Sequence, residues 1–205
     1  MNLPNQLTLL RIFLTPIFVL LLFMDTTVSQ LGSFIVFSLA SVTDWYDGYA
    51  ARKFGFISTW GKFFDPLADK ILVSSGFVSF SILGYVPVWM VIILVARDFF
   101  ITILRSYAVI KKRPIETNVF AKAKTFFQFC VLYFIFLYHL LGKQDLGKGV
   151  AKVLEVIQNL NVIFALLCII TFLTAISGLI YLIENRSHLR QMGSDIYRMF
   201  VPSDI

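Results

Sequence analysis

The sequence predicts an all-α, polytopic membrane protein with six transmembrane helices. Three observations predict it. Of its 205 residues, 58% are hydrophobic and the mean hydropathy is +0.81, whereas soluble domains average about 45–50% apolar residues. Charged residues make up 15%, against roughly 25% in soluble domains. The apolar residues fall into runs of the length a bilayer needs, about 20 residues each, separated by short polar or Gly/Pro turns.

The first run goes from Leu7 to Met24, and residues 1–6 read as an interfacial lead-in. Arg11 lies inside the run, no positive charge precedes it and no small-residue cleavage site follows, so a cleaved signal is not expected. After the polar turn Asp25–Gln30, the second run extends from Leu31 to Arg52. A Gly- and Ser-containing turn over Phe54–Trp60 leads to the third, Gly61–Leu83. The fourth, Pro87–Ile110, carries Arg97, Asp98 and Arg105. The fifth is Val119–Leu141, and after a Gly/Lys loop over Gly142–Lys152 the sixth is Val156–Ile183. The tail, residues 184–205, has Leu189, Met192, Ile196 and Met199 at helical spacing. It reads equally as an interfacial helix or a frayed end. The chain is a single membrane domain.

Basic residues orient the helices. The connections after helices two and four and the tail hold Arg52, Lys53, Lys62, Lys111, Lys112, Arg113, Arg186, Arg190 and Arg198, and those after helices one and three hold none. The positive-inside rule places both termini in the cytoplasm. Lys143, Lys148 and Lys152 dissent, partly offset by Asp145 and Glu155. The net charge of +6 is read the same way, as loop topology and attraction to anionic headgroups. No basic-aromatic module points to nucleic acid. Cys130 and Cys168 sit in apolar runs and His139 and His188 stand alone, so none is assigned chemistry.

Four aspartates break the pattern. Asp44 and Asp47 close the second run; Asp65 and Asp69 open the third. Carboxylates within membrane helices are costly and mark function. At 100° per residue, Asp44, Asp47, Gly48 and Ala51 share one face with Arg52 at its edge, and Gly61, Asp65 and Asp69 share a face of the next helix. A short connection makes the two helices antiparallel neighbours, so the faces can meet. Gly48, Ala51 and Gly61 leave room beside the carboxylates, although small residues also serve plain helix packing. Ion pairs of Asp44 or Asp47 with Arg52 or Lys53, and of Asp69 with Lys70, are the structural alternative. Lys70, however, points away from Asp69 along the helix surface. A carboxylate-held divalent cation is the reading that accounts for all four, and such ions serve phosphate chemistry.

The pattern D-x-x-D-G-x-x-A-R-x8-G-x3-D-x3-D, unbroken from Asp44 to Asp69, resembles the signature of the CDP-alcohol phosphotransferase family. The flanks Asn2–Arg11, Phe64–Lys70, Ala96–Asp98 and Ala121–Thr125 with Gln128 resemble the bacterial members that form phosphatidylglycerophosphate. Thr102–Ile103–Leu104 before Arg105, and Ala121, depart from the small or Gly residues common there. The resemblance implies transfer of a phosphatidyl group from CDP-diacylglycerol to sn-glycerol 3-phosphate, with CMP leaving, on the cytoplasmic side of a bacterial inner membrane. It implies two ions of Mg2+ or Mn2+ held by Asp44, Asp47 and Asp65, with Asp69 as general base and also a metal ligand. Gly48, Ala51, Arg52 and Gly61 would receive the CDP moiety. Arg105, Arg113 and Lys124 would receive the acceptor phosphate, while Lys111, Lys112 and Lys122 serve topology and Arg97 and Asp98 a buried polar network. A homodimer is implied too. Alternatives are the same chemistry on inositol phosphate, serine or phosphatidylglycerol, an intramembrane prenyltransferase, and a cation transporter.

Overall fold

The computed structural model describes residues 3–54, 61–111, 119–144 and 147–200. Every regular element in these segments is helical: α1 (Leu3–Phe23), α2 (Thr27–Phe54), α3 (Gly61–Ile82), α4 (Val88–Ile110), α5 (Val119–Gly142), α6 (Lys148–Asn159), α7 (Val162–Glu184) and α8 (Arg186–Phe200). The turn expected over Phe54–Trp60, the basic loop after Lys111 and the last five residues lie outside the described residues beyond those bounds.

Five of the six apolar runs become one helix each, with ends shifted by a few residues. The lead-in is helical from Leu3, and α2 starts at Thr27, four residues before its apolar run. Pro87 caps α4 in extended conformation, as the missing N–H of proline favours at a helix start. Gly84, at φ +84°, turns the chain between α3 and α4 in the left-handed region that glycine enters without strain. The Tyr85 hydroxyl of that turn is hydrogen-bonded to His139 Nδ1 at 3.0 Å, which ties the end of α5 to it.

The sixth run divides. The chain turns at Asn161, which takes a left-handed conformation (φ 49°, ψ 38°) that asparagine tolerates better than most residues. The stretch expected as the start of a span, and the last five residues of the loop before it, form α6. Its Lys148, Lys152, Glu155 and Asn159 share one face, and Val150, Val153, Leu154 and Ile157 the opposite one. Helix α7 then supplies the apolar length by itself. The tail is helical as α8 and docks on α4: Tyr107 donates to Asp195 Oδ2 at 2.8 Å, and Lys111 Nζ lies 2.6 Å from the same oxygen. The hydrogen bond to Asp195 holds the Lys111 ammonium above its ordinary pKa.

Among the described residues, three helices are long and apolar enough to cross a membrane: Gln6–Phe23, Ala123–Gly142 and Val162–Glu184. Thr27–Thr43 and Lys70–Ile82 are shorter apolar stretches.

Lipid removes most of the hydrophobic drive between helices, so packing and interhelical hydrogen bonds must hold the bundle. An aromatic cluster does much of this. Phe18 of α1, Phe37 of α2, Phe80 of α3 and Phe136 of α5 are fully buried. Phe18–Phe37 and Phe80–Phe136 meet edge-on with ring centroids 5.3 and 5.0 Å apart, a favourable geometry for aromatic quadrupoles. Ser33 donates to the Phe18 carbonyl at 3.0 Å and locks α2 to α1. Gly76 of α3 lets α5 and α2 approach: a Cβ there would lie 3.2 Å from Leu132 Cδ2 and 3.7 Å from Phe37 Cε2. Gly76→Val should therefore force this junction apart and destabilise the protein by about 1–3 kcal/mol. Thermal unfolding in detergent reads this as a lowered Tm; an unchanged Tm would show that the junction yields.

Candidate active site

The close approach at Gly76 sets the register of the aspartates. It places Phe37 of α2 level with Gly76 of α3, and the two helices run antiparallel. Seven residues beyond Phe37 stands Asp44, and seven before Gly76 stands Asp69. Each is about 10 Å from the junction at 1.5 Å per residue, so the two occupy one level. By the same count Asp47 and Gly48 fall level with Asp65, and Arg52 with Gly61. The motif residues thus form successive rungs at the end of the bundle where α2 stops and α3 starts.

Their faces follow from the buried residues below them. On α2, Ser33, Phe37 and Ala40 are buried. Continuing at helical spacing, the same stripe runs through Asp44, Asp47, Gly48 and Ala51. On α3, Leu72, Val73, Gly76 and Phe80 are buried, and the stripe extends back through Asp69, Asp65 and Gly61. The motif residues therefore hold register positions on the two stripes that meet in the core. Their side chains lie outside the described residues, as does the whole of Arg113.

Helix α1 lines the same end of the bundle. The Ser33–Phe18 bond places Arg11 level with Ala40, one turn short of Asp44. Arg11 is fully buried, and Thr8 and Thr15 are buried beside it on α1. The Thr15 hydroxyl donates to the Arg11 carbonyl at 2.8 Å. Sequence reasoning noted Arg11 only as a charge inside an apolar run; its position on the inward face was the missed signal.

A second polar centre adjoins the aspartate rungs, on α3, α4, α5 and α7. Asp98 of α4 is 4% exposed. Its Oδ1 accepts from Lys124 Nζ of α5 and, at 3.1 Å, from Arg97 NH1. Its Oδ2 accepts from Gln128 Nε2 at 3.2 Å and lies 4.0 Å from Lys70 Nζ of α3. Arg97 reaches on to the Ser177 hydroxyl of α7 at 3.0 Å, where a Cβ on Gly178 would stand 3.1 Å from Arg97 Cγ. The expected network around Arg97 and Asp98 is thus present and binds four helices. Lys124, assigned to the acceptor from sequence, is buried against Asp98, whereas Arg105, two turns beyond Arg97, is exposed. The inclusion of Lys70 and Gln128 was missed. The available signal was the spacing of Lys124 and Gln128, one helical turn apart on the helix that must neutralise Asp98.

Lys70 also bears on how the aspartates are neutralised. It follows Asp69 directly, yet among the described residues its ion pair is with Asp98. The neighbouring lysine is thus engaged elsewhere. Four hard oxygen donor groups on two converging stripes fit a divalent cation such as Mg2+ or Mn2+.

The sequence model of the CDP-alcohol phosphatidyltransferase family matches residues 1–171, from α1 into α7 and across both polar centres. The chain belongs to this family. CDP-alcohol phosphatidyltransferases generally depend on a divalent metal, in keeping with the donor set. The chain is similar to the CDP-diacylglycerol–glycerol-3-phosphate 3-phosphatidyltransferase of Bacillus subtilis (strain 168), with 37% identity over 151 residues, 68% of this chain and 78% of that protein. It is 33% identical to the protein of the same name from Rickettsia typhi (strain ATCC VR-144 / Wilmington) over 180 residues, 88% of this chain and 94% of that one. The protein of that name from Escherichia coli (strain K12) is 34% identical over 137 residues, 64% of this chain and 74% of its own length. As a CDP-alcohol phosphatidyltransferase with long apolar helices, the protein is a membrane enzyme.

Removing the carboxylate at the second centre should be severe. Asp98→Ala leaves Lys124 buried without its partner, at a cost of roughly 3–5 kcal/mol. The double variant Asp98→Ala/Lys124→Met should recover much of that loss in a thermal-unfolding double-mutant cycle. Additive losses would show that the two residues do not depend on each other.

Proposed function

We propose that this enzyme transfers the phosphatidyl group of CDP-diacylglycerol to sn-glycerol 3-phosphate, giving phosphatidylglycerophosphate and CMP. The observation that carries the reading is the rung register of Asp44 with Asp69 and of Asp47 with Asp65, on the inward stripes of a chain matched by this family. The acceptor is supported by the names of the relatives, which include glycerol 3-phosphate.

Asp44, Asp47 and Asp65 would hold Mg2+ or Mn2+, two ions on this reading, with Asp69 as a further ligand. Such ions would supply the positive charge that neutralises the pyrophosphate of the donor. Gly48, Ala51 and Gly61 leave space along the helices for the CDP moiety, and Arg52 lies beside its phosphates. Asp69 takes the proton of the acceptor hydroxyl as its oxygen bonds to the phosphorus of the phosphatidyl group. The bond from that phosphorus to the CMP oxygen breaks, and CMP leaves. A carboxylate is a weak base, so the proton moves late, when the hydroxyl has become acidic. The rest of the catalysis is positioning and charge stabilisation, as phosphoryl transfer requires. Arg105, Arg113 and Lys124 receive the acceptor phosphate.

The reading also sets the protein in its membrane. α1 to α5 and α7 make six spans with both termini and the aspartate end in the cytoplasm, in the inner membrane of a bacterium, as a homodimer. Two of the three lysines that disagreed with this orientation lie on α6. Lys148 and Lys152 stand on the polar face of this amphipathic helix, which lets them lie at a membrane surface without setting topology.

Asp69→Asn should abolish CMP release while CDP-diacylglycerol binding persists, and near-normal turnover would remove Asp69 from the role of base. Assayed against glycerol 3-phosphate, inositol phosphate, serine and phosphatidylglycerol, the purified protein should release CMP with the first. A clear preference for another acceptor would replace the proposed substrate.

A further inference from the structure

We infer that Lys70 is a further ligand for the acceptor's phosphate, and that Asp98 is the positioning residue that sets Lys70 and Lys124 for it. This deepens the proposed function and rests on its reading of a phosphorylated acceptor.

Asp98 is surrounded by Lys70, Arg97 and Lys124, three cations for one carboxylate, which leaves two positive charges in excess among the described residues. Lys124 is 4% exposed, and the Lys70 side chain is 18% exposed. Such an excess inside an apolar bundle is costly. The dianion of a phosphate monoester offsets it.

Asp98 is engaged at both oxygens by side chains of its own bundle, which commits it to holding this centre. Each ammonium carries three N–H donors. Lys124 directs one to Asp98. Lys70, at 4.0 Å, is within ion-pair range but beyond hydrogen-bond range. The pair therefore keeps donors for phosphate oxygens. Gln128 must turn its amide nitrogen to Asp98, because a carboxylate only accepts. Among the described residues its Oε1 is consequently left buried with no hydrogen-bond partner, as is Arg97 Nε. Gln128 is 1% exposed. A ligand that satisfies this centre brings both an anion and a hydroxyl donor, which is the chemistry of a phosphorylated polyol.

Lys70 is the residue after Asp69, the proposed base, and its ammonium is drawn across to α4 by Asp98. The carboxylate thereby gathers cations from α3 and α5 at the level of the proposed base along α3. Without Asp98 they would have nothing to converge on.

The test is Lys70→Met, a change at a partly exposed side chain with a long pair, followed by steady-state CMP release and by thermal stabilisation of the detergent-solubilised protein. Loss of one charged hydrogen-bonding ligand should raise KM for glycerol 3-phosphate about tenfold or more, with KM for CDP-diacylglycerol little changed. Lys70→Arg should recover part of the loss. Asp98→Asn should give the same one-sided KM effect, and Asp98→Glu should lessen it; a merely structural Asp98 would lower Tm and kcat without separating the two KM values. Unchanged KM for glycerol 3-phosphate in Lys70→Met, or equal rises in both, overturns the inference. If wild-type protein uses a different phosphorylated alcohol, the proposed substrate falls and the same comparison with that alcohol decides the inference. If it uses only serine, both fall. If no acceptor gives turnover, glycerol 3-phosphate should still raise the Tm of wild type but not of Lys70→Met, and its failure to stabilise wild type overturns the inference.

Discussion

The cost of ionised side chains inside an apolar helix bundle governs this molecule. Asp98 is the clearest case. Alone it would be untenable where it sits, and so α5 supplies Lys124 and Gln128, α4 itself supplies Arg97, and α3 supplies Lys70. Each partner fixes the rotation of its own helix, since a quarter turn would withdraw it. Arg97 passes the constraint to α7 through Ser177 and the close approach at Gly178. A single carboxylate thereby orients four helices, which lipid-facing apolar contacts alone would leave free to rotate.

The aromatic junction complements it on the other side of the bundle. Phe18, Phe37, Phe80 and Phe136 pack α1, α2, α3 and α5 together, and Gly76 brings α3 close enough to set the register of α2 against it. That register continues two helical turns to the aspartate rungs. The order of cause is packing first and chemistry second. Buried rings and one glycine decide which residues stand level, and the proposed function has the motif use those levels for phosphate chemistry. Arg11, buried on α1 close to the first rung, belongs to the same end of the bundle.

Much of this was legible in the sequence because membrane helices declare themselves by length and composition. Five apolar runs map onto α1 to α5, and the spacing of Asp44, Asp47, Asp65 and Asp69 marks two helix faces before any coordinates. The family follows from the same residues. Besides the roles of Arg11 and Gln128, two features escaped. The division of the last run into α6 and α7 turns on the left-handed backbone of Asn161. Hydropathy cannot see it, because the apolar face of α6 reads as a continuation of the span. Lys70 also escaped: helical geometry correctly turned it away from Asp69, but its destination depends on α4 packing against α3, a tertiary fact absent from local spacing.

The central claim is that α2 and α3 bring their carboxylates to one metal site. Binding of Mn2+ to the purified protein, followed by electron paramagnetic resonance, tests it without turnover. The account predicts saturable binding that is lost when the α2 carboxylates alone are neutralised, as Asp44→Asn/Asp47→Asn, and equally when the α3 carboxylates alone are, as Asp65→Asn/Asp69→Asn. Full Mn2+ binding by either double variant would show that one helix holds the metal unaided, and the shared site would be wrong.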